Sequence, residues 1–440
     1  ICSSHNRAPN PRSPSQRTSP SLSGFIASQL ARRPLDSAPL VSTGAAMEHG
    51  PMDTASLNVD PMAKLTDDIL ADIISRVPYK SSCCCKCVST RWRDLISHPD
   101  HRKKMPQSLA GFFYESYYSG RSPRIARHFT NISGNGEPLI DSSLSFLPKY
   151  CSIEVLDCCN GLLLCRCWKP TDPTTLDYVV CNPATEKWVV VPATEWSSKV
   201  NVARLGFEPA VSSHFHVFEF IDEEAWGIDE SELSDCHGCI KTLSIYSSKA
   251  GVWKHQIPVE FDFAISGHSR GFFLDGVLHL ATSGPYKFTV AVDVEGNDWW
   301  IIDMFVPPYY DDARYNDIFP WQRQLYLASR HAGCNGSELS VWALEDYNIE
   351  EWTLKDYVSH LEMFGAEYSA FADHLNVISF HPDRNMIFMI CGHGNALMSY
   401  DMDRKKMCFL RQFGQDCQPW GVTPILPYVP LFSEAPADGY

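Results

Sequence analysis

Two different periods of apolar and polar residues divide this chain. Between residues 65 and 97 the apolar positions recur every three to four residues. Ile69, Leu70, Ile73, Ile74 and Val77 form one stripe, and Trp92, Leu95 and Ile96 form another. That spacing predicts helices with one buried face. Thr66 stands where an N-cap is expected, and Asp67 and Asp68 fall in the first turn, where carboxylates suit the exposed N–H groups and the positive helix end. Pro78 predicts the stop of this first helix. Ser81 or Ser82 is placed to cap a second, and a third runs from Ser89 to His98, just ahead of Pro99.

From about Gly111 onward the pattern shortens to alternating apolar runs broken by turn residues, which predicts an all-β region. One unit recurs there: a strand enters a polar turn and a large apolar residue opens the next strand. It is read around Trp188, Trp253, Trp299 with Trp300, Trp352 and, last, Phe409. These residues fall roughly fifty positions apart, the order expected of propeller blades built from four-stranded sheets. A tryptophan on an outer strand would wedge between neighbouring blades and bury a large apolar area. The longest interval holds an acidic stretch from Asp222 to Asp235, expected to be a solvated surface loop.

The helical unit is too small to bury all of its own apolar surface, and surplus stripes of this kind are covered by a partner. Taken together, Leu65, Asp68-Ile69-Leu70, Ile73-Ile74, Arg76-Val77-Pro78, Lys86-Cys87-Val88, Trp92 and Leu95-Ile96 resemble an F-box. The β region resembles the F-box-associated domain of plant F-box proteins, kelch-like but without the kelch double glycine. The resemblance implies a small three-helix F-box over residues 61–105 and a large propeller-like β domain over 106–430. A disordered Ser/Pro/Arg-rich segment, 1–60, and a short tail, 431–440, flank them. It also implies a function: the substrate-recognition adaptor of an SCF-type ubiquitin ligase. The F-box would dock a Skp-type adaptor, and through it a cullin scaffold, by way of Leu65, Ile69, Leu70, Ile73, Ile74, Val77, Pro78, Val88, Trp92 and Ile96. The β domain would hold a protein target by residues the sequence does not name. Such a subunit acts by proximity and needs no catalytic residue, cofactor or metal. One departure stands out: Ser82, Cys84 and Cys85 occupy positions where the family has an aliphatic, a basic and a large aromatic residue. It motivates a second expectation, a binding protein whose F-box has decayed and which acts outside a ligase.

Composition narrows the field. The chain has 440 residues, 44% hydrophobic and 12% aromatic, enough for one small module and one large core. A net charge of −15 argues against nonspecific binding to nucleic acid or an anionic membrane, and no run approaches the roughly twenty apolar residues of a membrane helix. Arg102, Lys103 and Lys104 form only a local basic patch. The 17 cysteines cluster at 83–87 and 158–167 instead of spacing out as a disulfide framework, which predicts a reducing compartment, cytosol or nucleus. Residues 1–46 are rich in Ser, Pro and Arg, begin with Ile1 and precede Met47, and are expected to carry no targeting address.

Four motifs offer chemistry. Gly267-His268-Ser269-Arg270-Gly271 spells a nucleophile elbow, which would make Ser269 an esterase serine. A strand-like run follows it where the elbow needs a helix, so a glycine-rich connection is the expectation. Cys236-His237-Gly238-Cys239 lacks a second pair for zinc, and Cys165, Cys167, His214 and His216 alternate as strand residues do. Pro307-Pro308-Tyr309-Tyr310 fits a proline-motif ligand and, better, a turn after a strand.

Overall fold

The computed structural model describes residues 65–77, 79–102, 109–117, 125–132, 138–172, 175–222, 239–265, 271–283, 288–304, 315–333, 336–365, 375–392, 394–413 and 425–432. The N-terminal part is helical: α1 (Asp67–Ser75), α2 (Tyr79–Cys85), α3 (Thr90–Ser97) and the single turn α4 (Pro99–Arg102). Thr66 occupies the N-cap of α1 in extended conformation, although its hydroxyl makes no capping bond. Ser89 does cap α3, accepting the Trp92 N–H at 3.2 Å. The second helix begins two residues before the expected cap. Ser82 therefore lies inside α2, where its buried hydroxyl donates to the carbonyls of Ile74 at 3.3 Å and Val77 at 3.1 Å. Arg91 of α3 reaches back to Asp67 at 2.8 Å and binds the two helices at the surface.

Among the described residues beyond Leu109 the structure is all β apart from α5 (His360–Phe364). Six antiparallel sheets stand as the six blades of a propeller. Blade 2 spans residues 152–191, blade 3 202–258, blade 4 271–303, blade 5 315–359 and blade 6 375–412, each a four-stranded meander. Blade 1 is composite. Its inner strand, Leu426–Tyr428, comes from the far end of the chain and pairs with Gly111–Tyr117, which pairs in turn with Ile125–Asn131. The six inner strands are Leu426–Tyr428, Ser152–Cys159, Val202–Phe207, Gly271–Leu274, Tyr315–Trp321 and Leu375–Phe380. They neighbour one another in a closed ring around a central channel.

Where a fourth strand of blade 1 would lie, the irregular segment 139–147 lies instead. Ser142 donates to the Arg127 carbonyl at 3.1 Å, Asn131 accepts the Leu139 N–H at 3.1 Å, and Ile140, Leu144 and Leu147 fill the seam with blade 2. Asp141 holds this segment in shape by accepting from the N–H and hydroxyl groups of Ser143 and Ser145. Those bonds pull its pKa down to about 2.

Three of the repeated outer-strand tryptophans act as wedges, each at a different seam. Trp253 of blade 3 donates its indole N–H to Pro192 O of blade 2 at 2.7 Å, and Trp352 of blade 5 repeats the contact with Asp303 O of blade 4 at 3.1 Å. Trp299 packs edge-on against Phe261 at the seam of blades 3 and 4. Trp188 and Phe409 do not play this part, being 38% and 58% exposed. The equivalent position in blade 6 is Met407, which faces Tyr400 across the hairpin as Trp253 faces Tyr246, and which packs half-buried at the seam with blade 5. Strand register thus gives the seam position to the residue two places before the aromatic one.

Two features hold the ring at its turn face. The first is a clasp made by the chain end. Asn182 donates to Leu431 O at 2.8 Å, and Leu431, expected in the tail, is instead buried against blades 2 and 3. The clasp passes so close to the first hairpin of blade 2 that a Cβ on Gly161 would stand 2.7 Å from Val429 O and 2.6 Å from Leu431 Cβ. The second is a charge bridge over three blades. Arg323 of blade 5 pairs with Glu208 of blade 3 at 2.6 Å and with Asp275 of blade 4, while Glu208 also accepts the Asp275 N–H at 2.8 Å.

Gly161 and Gly276 sit at matching turn positions with φ of +89° and +83°, but nothing lies within 4 Å of a Cβ added at Gly276. Gly276→Ala should therefore lose only the conformational term, on the order of 1 kcal/mol, and Gly161→Ala roughly 1–3 kcal/mol more. Thermal melts of the two variants check this, and equal losses would show that the clasp does not bear on the hairpin. Arg323→Gln should lower stability by about 1–2 kcal/mol, because two largely buried carboxylates lose their cation while partial exposure screens the pair. A urea midpoint unchanged from wild type would remove the bridge from any role in closure.

Candidate functional site

Two surfaces combine geometry with unspent binding capacity. The first is the helical unit. Its own core is complete: Leu70, Ala71, Ile74, Leu95 and Ile96 are buried together, with Trp92 and Cys85 half-buried against them. Of the residues expected to dock a partner, Leu70, Ile74 and Ile96 are thus interior. Leu65, Val77 and Trp92 are half-buried, and Pro78 lies outside the described residues. Ile69, Ile73 and Val88 stand in solvent at 50%, 43% and 64% exposure. Ile69 and Ile73 are one helical turn apart and therefore share a face of α1.

The second surface is a cavity of about 320 Å³ in the half of the central channel that lies toward the inner hairpin turns. Inner strands of all six blades line it, and its walls are largely apolar, with Leu156, Phe273, Phe319 and Ile378 among them. Pro427 fits the inner strand of blade 1 because that strand borders the channel and needs no N–H on that side. The charged groups in the wall are internally matched. Asp157 accepts the Leu205 N–H and the Cys158 N–H, both at 2.8 Å, and faces the Arg204 guanidinium. Burial raises the Asp157 pKa and lowers that of Arg204, each opposed by the charge of the other. Glu208 and Arg323 form the bridge described above. Burial disfavours the Arg323 cation, yet the carboxylates of Glu208 and Asp275 outweigh it and raise its pKa.

The other candidates from the sequence do not assemble into a reaction centre among the described residues. Residues 266–270, with Ser269, lie outside them, and so do Pro307-Pro308-Tyr309-Tyr310, Cys236 and most of the acidic stretch. The residues immediately after the elbow motif form the inner strand Gly271–Leu274, not a helix. His279, the next histidine in sequence, is fully buried and stacked on Phe272 at 4.5 Å, and burial lowers its pKa to about 4. His216 is likewise held neutral, at about 4, by burial and by neighbouring His214. Cys165, Cys167 and Cys181 are buried core residues of blade 2. No group of three or more His, Cys, Asp or Glu among the described residues could hold a metal ion. No helix among them is long and apolar enough to cross a membrane.

Sequence reasoning did not find the cavity or its charge pairs. Only the Asn160-Gly161 and Asp275-Gly276 dipeptides signalled the tight hairpins at its mouth, through the preference of such turns for positive φ. Arg323 carried no such signal, since it takes a φ of +63° with a bulky side chain and is held there by its two carboxylates.

Comparison with known proteins agrees with this architecture. The F-box domain matches residues 62–104, and the F-box associated beta propeller domain matches residues 130–430. An F-box protein of Arabidopsis thaliana is 27% identical over 69% of this chain and 72% of its own length. Another from the same plant is 23% identical over 69% of this chain and 74% of its own. Among solved structures, a chain of a nidogen/laminin complex aligns at a TM-score of 0.37 and 8% identity, over 72% of this chain and 96% of that one, too loosely to carry an argument. With an F-box domain ahead of six blades, the chain belongs to the plant F-box proteins of the F-box associated beta propeller family.

Proposed function

We propose that this chain is the target-holding subunit of an SCF-type ubiquitin ligase, with the helical unit docking a Skp-type adaptor and, through it, a cullin scaffold. The propeller holds a protein target and brings its lysines near an activated ubiquitin carried by other subunits. The subunit forms no bond itself and acts in the cytosol or nucleus. The observation that carries this reading is the exposure of Ile69, Ile73 and Val88 on a helical unit whose core is already filled by other residues. Large aliphatic side chains one turn apart in solvent are the anchors of a helix-in-groove contact. The F-box match over the same residues supports it.

The departures from the family pattern weigh little against docking. The Ser82 hydroxyl is satisfied by two backbone carbonyls at the end of α1, Cys85 packs against the helical core, and Cys84 is exposed. Burying each of the three aliphatic anchors against a partner is worth roughly 1–2 kcal/mol, given that each starts half-exposed.

In a pull-down of the full chain with a purified Skp-type adaptor, Ile73→Asp and Val88→Asp should each weaken capture by about tenfold or more, an uncompensated carboxylate then facing an apolar groove. The thermal melt of the propeller should not change. Undiminished capture by both variants would sink the docking face. A folded wild-type chain that captures no adaptor would instead favour a binding protein acting outside a ligase.

A further inference from the structure

The central cavity is apolar and recessed, and the charges buried in its wall are paired; its one other charged lining residue, Asp383, is exposed to solvent. Asp157 and Arg204 offset each other in the wall, and Glu208 and Asp275 are taken up by Arg323. Of the uncharged polar side chains in the lining, Gln322 is exposed to solvent, while Asn160 and Ser379, deeper in the wall, donate to backbone carbonyls. Asn160 donates to Phe207 O at 2.7 Å, and Ser379 donates to Phe380 O at 3.0 Å. A charged occupant would lose its hydration among buried wall charges that already offset one another, which is strongly unfavourable. An uncharged apolar occupant loses nothing of that kind and covers Leu156 and Phe273, which are half-buried in the empty cavity. The volume, about 320 Å³, lies near the lower end of the roughly 300–1,000 Å³ range of ligand pockets, which suits a group of one or two rings.

The surroundings of the cavity indicate how that group arrives. Turn residues Pro209, Ala210 and Pro382 and the strand-end residue Pro320, half-buried or exposed, border it, so it opens at the face of the hairpin turns. On that same face the described part of the propeller begins at Leu109, which also lines the cavity. A side chain projecting from a protein held there can enter while its backbone stays at the proline-bordered mouth.

We infer that the cavity is the anchor pocket for the target, taking an uncharged aromatic side chain from a target polypeptide. The inference deepens the adaptor reading and rests on it for the origin of the side chain, whereas occupation of the cavity can be measured without any adaptor.

The test uses fluorine NMR of three probes mixed with the full chain: N-acetyl-4-fluorophenylalanine amide, the anion 4-fluorophenylacetate, and free 4-fluorophenol. The neutral amide should bind at millimolar concentration or tighter and broaden its signal, and the anion should bind at least tenfold more weakly. Ala210→Trp, which fills the mouth from a surface turn, should reduce amide binding at least tenfold. Leu156→Glu, which puts a carboxylate in the wall at a strand bulge, should do the same. Circular dichroism verifies that each variant is folded. Leu354→Glu, on the exposed outer strand of blade 5, should leave binding unchanged. No broadening with wild type, broadening insensitive to both cavity variants, or equal binding of the anion would overturn the inference. Phenol binding tenfold tighter than the amide would overturn it in favour of a free small molecule. Amide binding without adaptor capture would remove the ligase reading alone, and adaptor capture without amide binding would remove the anchor pocket alone.

Discussion

Ring closure is the constraint on which the rest of this molecule depends. Six twisted sheets can share one core only if the last is joined to the first, and here the joint is a strand of three residues, Leu426–Tyr428, paired with Gly111–Phe113. So short a ladder is weak on its own. It is supplemented by apolar packing, with Tyr428 set edge-on against Phe113 and Phe129, and by the clasp of Asn182 on Leu431. The closure couples distant parts of the chain. The strand that follows the helical unit and the strand that ends the propeller belong to one sheet, so the unit is tethered at the seam where the ring is sealed.

Closure also creates the channel and dictates its chemistry. Inner strands converge on an axis where water is scarce, so any charge placed there requires a partner from a neighbouring blade. Asp157 and Arg204 meet that need between blades 2 and 3, and Glu208, Asp275 and Arg323 meet it across blades 3, 4 and 5. Pairs of this kind add less stability than their Coulomb attraction suggests, because desolvation offsets much of it. They do fix the relative register of the blades, since a shift of one blade would leave a buried charge unmatched.

The parts of this fold that were legible in the sequence are those governed by local periodicity. The helical stripe of Ile69 to Val77, the alternating β runs and the turn-plus-tryptophan unit all follow from side-chain direction along a single element. Errors arose where neighbours across space decide. Phe409 resembles the other wedge residues in type, but strand register hands the role to Met407. Ser82 resembles a helix cap, but the turn after α1 is tighter than expected and draws the serine into the interior of α2. The composite blade could not be read at all, since pairing between residue 112 and residue 427 leaves no trace in local pattern.

The same distinction separates the two groups within the expected docking residues. A helical stripe announces that one side of a helix is apolar and does not say how wide the neighbouring helix is. In α1 the stripe spans more of the circumference than α3 can cover: Leu70 and Ile74 meet Leu95 and Ile96, while Ile69 and Ile73 fall beyond the contact. The interior residues set the fold of the unit, so substitutions there would report on folding. The outer ones contribute little to that fold and are free to serve a partner. An apolar stripe wider than its internal contact leaves surface that the unit itself cannot cover, which is the surface the proposed docking would use.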